Sequence, residues 1–216
     1  MMTILEQIFF IGKGLGVTLP LFLGAFVIGA PLGIGLAILR RFSKIFGCFI
    51  DSGISVLRGT PVILQLSFVY FTLPSLGGAH IGFLGAGMIT LGINSAAYTG
   101  EIFRSGIEGI PFGQFEASKV LGIRTYYMWK DIIIPQVLRN VWSSFVNESI
   151  ALLKETALIS TIGGEDILKC AKHMGSMQFT YFSPLIIAGA YYYGIVLCIE
   201  YLGRYIEKRR FSWSIS

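Results

Sequence analysis

Arg58, Glu148, Lys154 and Glu155 stand inside or beside long apolar runs, where charge is costly. Ionised groups at membrane depth are rare and mostly functional. A zwitterionic ligand needs an anion for its ammonium and a cation or amide donors for its carboxylate, and this set supplies both kinds. Lys154 and Glu155 are adjacent, so on a helix their side chains diverge by about 100° and do not simply cancel. Arg139 and Glu148 are two and a half turns apart, on opposite faces, so each needs a partner elsewhere. The competing reading is a salt-bridge cluster at the outer helix end, with Arg58 reaching to the cytoplasmic interface. Beside Arg58, Gly59-Thr60-Pro61 should interrupt or start a helix, because Pro61 lacks an amide hydrogen and restricts Thr60. Broken helices occur at membrane depth where backbone lines a cavity or is buried in protein, and their ends can hold charged ligand groups.

An enzyme would need more than this. Glu101, Glu148 and Glu155 are candidate acids, but no HExxH, paired-Asp metal string or nucleophile elbow accompanies them. No Walker A string is present, so the chain is not expected to be its own motor. Cys48, Cys170 and Cys198 lack CxxC or His-paired spacing, which argues against a disulfide framework or a zinc site. His80 and His173 are isolated and read as polar loop residues.

The elements that must position these groups are membrane spans. Of 216 residues, 54% are hydrophobic and only 13% charged, against roughly 25% charged in a soluble domain. Mean hydropathy is +0.70. The start of the chain, MMTILEQIFF, has no basic n-region or small-residue cleavage site and is not expected to be a removable signal. A span needs ~20 apolar residues. The pattern predicts spans at about 14–39, 52–73, 83–103, 132–153 and 184–202. Pro20 and Pro31 should bend the first, where Gly29 and Gly33 offer a close-approach step. The second and third are separated by Pro74, Gly77 and Gly78. Asn94, Tyr98 and Glu101 share one face of the third, whose other small residues suit tight packing. Tyr191, Tyr192 and Tyr193 lie inside the fifth, and Glu200 and Arg204 can pair at its end. Residues 156–182 exceed a simple hairpin, and Ile162 to Leu168 reads as a turn entering an amphipathic helix that ends near Gly175. This segment is expected to cap the outer mouth of a path.

The net charge of +5 is distributed by loop, which points to topology and away from nucleic acid. Arg40, Arg41 and Lys44, four residues between the third and fourth spans, and four after the fifth make eleven basic residues on one side. Lys13, Lys154, Lys169 and Lys172 make four on the other. The excess predicts an outside N-terminus and a cytoplasmic C-terminus.

The longest polar stretch, residues 110–135, then faces the cytoplasm. Its centre predicts a short helix over Phe115–Leu121, preceded by Gly113 and ended by Gly122. Glu116 and Lys119 can pair, while Ala117, Val120 and Leu121 form an apolar strip. Glu116-Ala117-Ser118, then Gly122, Ile132 and Ile134-Pro135 resemble the EAA loop of ABC-importer permeases, with Ser118 for Ala and Ile134 for Leu as departures. Leu57 to Gln65, Ala97 to Arg104, and Asn147-Glu148 followed by Leu152 to Leu158 resemble the polar amino-acid branch of that family.

The resemblance covers nearly the whole chain and implies an all-α polytopic permease, a single domain over 1–216, with a cytoplasmic coupling helix between the third and fourth of about five spans. It implies ATPase-coupling residues Gly113, Glu116, Ala117, Ser118, Leu121 and Gly122. It implies a substrate path using Arg58, Gly59, Thr60, Gln65, Glu148, Lys154, Glu155 and Thr156. The implied partners are a cytosolic ATPase dimer, a second permease identical or homologous, an extracytoplasmic substrate-binding protein, a polar amino acid such as glutamine, histidine or arginine, and the lipid of a bacterial inner membrane. ATP and Mg are expected on the ATPase, with no cofactor on this chain. A simple channel would have no use for the EAA-like loop.

Overall fold

A computed structural model describes residues 3–40, 44–77 and 81–211. Arg41, Gly78 and His80, which figured in the sequence reading, lie outside the described residues. Helix α1 (Ile4–Gly12) opens with a capping box: Thr3 Oγ1 accepts from the Glu6 amide, and the Glu6 carboxylate accepts from the Thr3 amide. It leads almost directly into α2 (Leu15–Leu39), so the first apolar stretch runs over Ile4–Leu39 and starts earlier than the expected 14.

Helix α3 (Lys44–Gly59) is followed by a break at Thr60-Pro61, then α4 (Val62–Ser67), a π-helical turn (Phe68–Thr72) and the short α5 (Leu73–Ser75). The two halves are bent by 99°. The expected span at 52–73 is thus interrupted at Gly59-Thr60-Pro61, as the proline predicted, but it starts earlier. The helix begins at Lys44, and Pro61, extended at ψ 131°, cannot donate to the preceding turn. Helix α6 (Phe83–Glu108) runs five residues past the expected end.

The α2–α6 seam sets the middle of the molecule. A Cβ on Gly33 would stand 2.6 Å from the Thr99 Cβ and 2.7 Å from the Ala96 carbonyl. A Cβ on Gly29 would stand 2.9 Å from the Gly92 carbonyl. Only glycine allows this approach, as the GxxxG spacing predicted.

Helix α7 (Phe112–Val120), α8 (Thr125–Tyr127), a second π turn (Met128–Ile133) and α9 (Ile134–Glu155) follow. A 3₁₀ segment (Thr156–Ile162) ends at Gly163, φ 101°, before α10 (Ile167–Gln178) and α11 (Phe182–Phe211). The last helix exceeds the expected 184–202 at both ends, while α10 confirms the turn and helix read after 162 and ends three residues later than expected.

Among the described residues every regular element is helical. Length and apolarity alone mark two of them as membrane-crossing, or three with the bent pair, because α6 and α9 carry polar groups inward. One core cluster joins Leu21, Ala25, Leu91, Leu152, Leu153 and Ile159. A second, around Phe103, Ile110, Met128, Ile133, Val137 and Val141, sits where α6, α7 and α9 meet. A third, smaller cluster ties Ile11, Ile167, Ala171 and Ala188 together.

Candidate functional site

The break after Gly59 frees backbone carbonyls that the helix would otherwise have used. Leaving one buried and unpaired costs about 1–3 kcal/mol. Gln65 removes that cost. Its Nε2 donates to the Leu57 carbonyl at 2.8 Å, the Thr60 carbonyl at 3.2 Å and Thr60 Oγ1 at 2.8 Å. From α6, Asn94 Nδ2 donates to Gln65 Oε1 at 3.3 Å and reaches the Leu57 carbonyl at 3.4 Å. Asn94 is buried, and its Oδ1 has no partner among the described residues. Thr60 Oγ1 donates to the Val56 carbonyl at 2.9 Å. Gln65 and Thr60, expected along a substrate path, thus build the break itself.

Arg58 turns toward α6. Its guanidinium lies 5.2 Å from the Tyr98 ring centre and 4.0 Å from Glu101. Glu101 is a hub: it also accepts from Arg104 Nε at 3.0 Å, from Arg104 Nη2, and from Arg40 Nη1 at 3.3 Å. Arg40 pairs in turn with Asp51 of α3, and Arg104 with Glu108. One exposed ion pair contributes at most about 1 kcal/mol. A hub joining three arginines from three helices is what anchors α3 here. A cavity of about 470 Å³ opens between Arg58, Gly59, Tyr98, Glu101, Arg40 and Asp51.

Glu148 accepts from Ser95 Oγ of α6 at 2.8 Å and is partly buried. Ser95 and Glu101 are six residues apart, about 9 Å along the helix axis. Glu155 lies seven residues beyond Glu148, two turns along the same face and about 10 Å further. Arg58, Glu148 and Glu155 therefore form a ladder through the bundle. They do not gather at one point, and they cannot all grip the same small zwitterion at once. Lys154 is exposed while Glu155 is partly buried, as their divergence predicted. Thr156 is fully buried, its hydroxyl donating to the Leu153 carbonyl at 2.6 Å, so it faces the helix packing and no open path.

Beyond the ladder, Asp166 caps α10. It accepts from the Lys169 amide at 2.9 Å and the Leu168 amide at 3.2 Å, and Tyr192 Oη donates to it at 3.1 Å. Burial pushes its carboxyl above the ordinary aspartate value, against the opposite pull of those hydrogen bonds. Gln7 Nε2 donates to Gln178 Oε1 at 3.1 Å, and Ser183 Oγ to Gln7 Oε1 at 2.9 Å, tying α10 to α1 and α11.

The loop helix differs from expectation at its start. Pro111 supplies the N-cap, because a proline needs no amide partner there and its φ suits a helix entry. Helix α7 thus begins at Phe112, and Gly113 lies inside its first turn. Its end is as expected: Gly122 adopts φ 70°, its amide donates to the Lys119 carbonyl, and the Ile123 amide donates to the Ser118 carbonyl, both at 3.0 Å. Ser118 is buried, its hydroxyl donating to the Gln114 carbonyl at 2.7 Å, so it supports the helix from within and takes no part in an outward surface. Glu116 and Ala117 are exposed. The outward apolar residues are Phe112, Val120 and Leu121, which are 70%, 87% and 75% exposed.

Sequence reasoning missed Ser95, Arg40, Asp51, Arg104, Asp166 and the role of Glu101 as a hub. The shared face of Asn94, Tyr98 and Glu101 was a signal that something packs there. Its partners come from other helices and have no fixed spacing.

A helical bundle with a sharply broken segment, charged groups stepped along its interior and an exposed apolar helix on a loop belongs to the class of membrane transport components. Residues 29–212 match the family described as binding-protein-dependent transport system inner membrane component, and the chain belongs to it. Its members are transport components of the inner membrane, not enzymes.

The arginine transport system permease protein ArtQ of Bacillus subtilis (strain 168) is 41% identical over 206 residues, 95% of this chain and 94% of that protein. The histidine/lysine/arginine/ornithine transport system permease protein HisM of Escherichia coli (strain K12) is 34% identical over 206 residues, 91% of this chain and 87% of that protein. Among solved structures, an amino acid ABC transporter crystallised with histidines matches with a TM-score of 0.86 and 35% identity, over 97% of this chain and 99% of that one. An inward-facing MetNI methionine ABC transporter, 20% identical with a TM-score of 0.69 over 92% of this chain and 93% of that one, shares the fold.

Proposed function

We propose that residues 1–216 form one permease domain of an ATP-driven importer, carrying polar amino acids with an arginine-, histidine- or glutamine-like side chain. The observation that carries this reading is the 99° break beside Gly59, stitched by Gln65 and Asn94, in a chain 41% identical to an arginine permease. A broken helix is how a bundle presents backbone dipoles to a charged solute without exposing them to lipid. The carboxylates of Glu148 and Glu155, stepped along one face of α9, suit a solute carrying an ammonium or a cationic side chain. Arg58 stands at the other end of the ladder, beside Gly59 and Thr60. Lys154, exposed beside Glu155, is a further contact for a carboxylate at the outer end.

The outward face of α7, with Phe112, Val120 and Leu121 beside Glu116, Ala117 and Gly122, is the docking surface for a cytosolic ATPase dimer. ATP and Mg are bound on that partner. A second permease, identical or homologous, completes the path, and an extracytoplasmic binding protein delivers the amino acid. Five spans put the N-terminus outside and the C-terminus in the cytoplasm, a reading supported by the charge count. A tag after Ser216 is then protected in intact cells, and surface labelling of that tag would reverse the orientation.

The decisive experiment is purification of the chain with its neighbours, followed by binding of a labelled amino-acid panel to the complex in detergent. An ATPase should co-purify, and arginine, histidine or glutamine should bind. Recovery of the chain without an ATPase, or no amino-acid binding, would sink the proposal.

A further inference from the structure

Helix α7 is attached to its own chain through few side chains. Its inward residues are Phe115 and Ser118, while Phe112, Val120 and Leu121 point away. Ser118 is used up in bonding back to Gln114 within α7. Phe115 is different: its ring meets Trp129 edge-on, with centroids 5.9 Å apart and planes at 62°. That geometry is a preferred one for aromatic pairs and fixes direction as well as distance.

Trp129 lies within the π turn Met128–Ile133, between two residues, Met128 and Ile133, that are buried in the inner core cluster. The turn has an identifiable cause. Pro135 has no amide hydrogen, so the ladder skips a step, and the Ile134 amide donates to the Trp129 carbonyl five residues back. Through α8, this turn and α9, the backbone is helical from Thr125 to Glu155. At 1.5 Å per residue that is a shaft of about 45 Å. A tilt of about 10° at the π turn moves the far end of α9, 22 residues or about 33 Å away, by about 6 Å. Glu148 and Glu155 ride on the distal part of this shaft.

We propose that Phe115 and Trp129 are the positioning pair that delivers movement of the docked α7 to the α9 shaft. This rests on α7 being the ATPase dock. A push on the outward residues can leave α7 only along the backbone or through its inward side chains. The ring contact is the side-chain route that ends on the shaft. The π turn, whose hydrogen bonding is locally irregular, is where the shaft can change direction without breaking.

The test uses the complete transporter in liposomes, loaded with its binding protein and labelled arginine or glutamine. Trp129→Ala should keep the ATPase associated and hydrolysing ATP, while uptake per ATP falls at least tenfold. Trp129→Phe should restore the ratio, because a ring remains. Phe115→Ala should match Trp129→Ala, with the double variant no worse than either. If Trp129→Ala disturbs insertion, Phe115→Leu reports the same ratio, since it keeps apolar volume and loses the ring. An unchanged uptake per ATP overturns the proposal. So does a loss of uptake that only tracks loss of the ATPase, because the pair would then merely shape the dock. Leu121→Asp separates the two levels: retention of the ATPase in that variant refutes the dock itself.

Discussion

Glu155 and Asp166 are both acidic groups drawn into the bundle, yet one is only partly buried and the other fully buried. Glu155 sits at the end of the ladder with one side toward space. If it pairs with a substrate cation, replacing it with its uncharged isostere removes a charge-assisted hydrogen bond of about 1.5–3 kcal/mol. Glu155→Gln should then weaken amino-acid affinity roughly 10- to 150-fold while leaving the ATPase associated. The loss should be greater for arginine than for glutamine if the carboxylate meets the side chain. Unchanged affinity with weakened assembly would make Glu155 structural.

Asp166 is fully buried and capping a helix, and its pKa stands above the ordinary aspartate value. A raised carboxyl favours the folded state most when protonated, and that contribution is lost as pH rises from the ordinary aspartate range through the raised value. Asparagine caps as well as aspartate and stays neutral. Asp166→Asn should therefore flatten this part of the melting-temperature profile between acidic and neutral pH. A profile with the same slope in both proteins would count against the burial argument.

At the scale of elements, the C-terminus of α7 offers the sharper experiment. Gly122 holds φ 70° and has open space where a Cβ would go. A side chain there meets backbone strain of about 1–2 kcal/mol but no clash within the chain. Gly122→Asp should thus insert normally, and its new carboxylate should obstruct only what docks from outside. ATP hydrolysis should separate from uptake in transport assays, and normal uptake would defeat the idea.

That glycine was readable from sequence because helix ends obey local chemistry, and so was the break at Thr60-Pro61. The start of α7 was not, since Gly113 is an equally plausible boundary in sequence and only the backbone shows Pro111 in the capping position. The 99° bend was not either, because proline marks where a helix stops and says little about where the chain goes next. The Glu101 hub was least legible of all: Arg40 and Arg104 were counted for their sign in deciding topology, and their partnership depends on three helices converging.

Across the whole molecule, the interlocked glycines of the α2–α6 seam have a mechanical consequence. At Gly29 and Gly33 the helices meet with almost no side chain between them, and rotation of either helix by one position would drive Cβ atoms into carbonyls. The seam is a keyed joint, and the pair is the stator of the machine. Movements that open and close a substrate path should then turn about it, carried by α3, α7 and the α9 shaft. Spin labels at Val27 and Ile93, both exposed on these two helices, should hold their separation through the ATP cycle while labels on α3 and α9 change theirs. A Val27–Ile93 distance that shifts by several ångströms would show the joint slipping, and the frame of reference for every other movement would have to be sought elsewhere in the bundle.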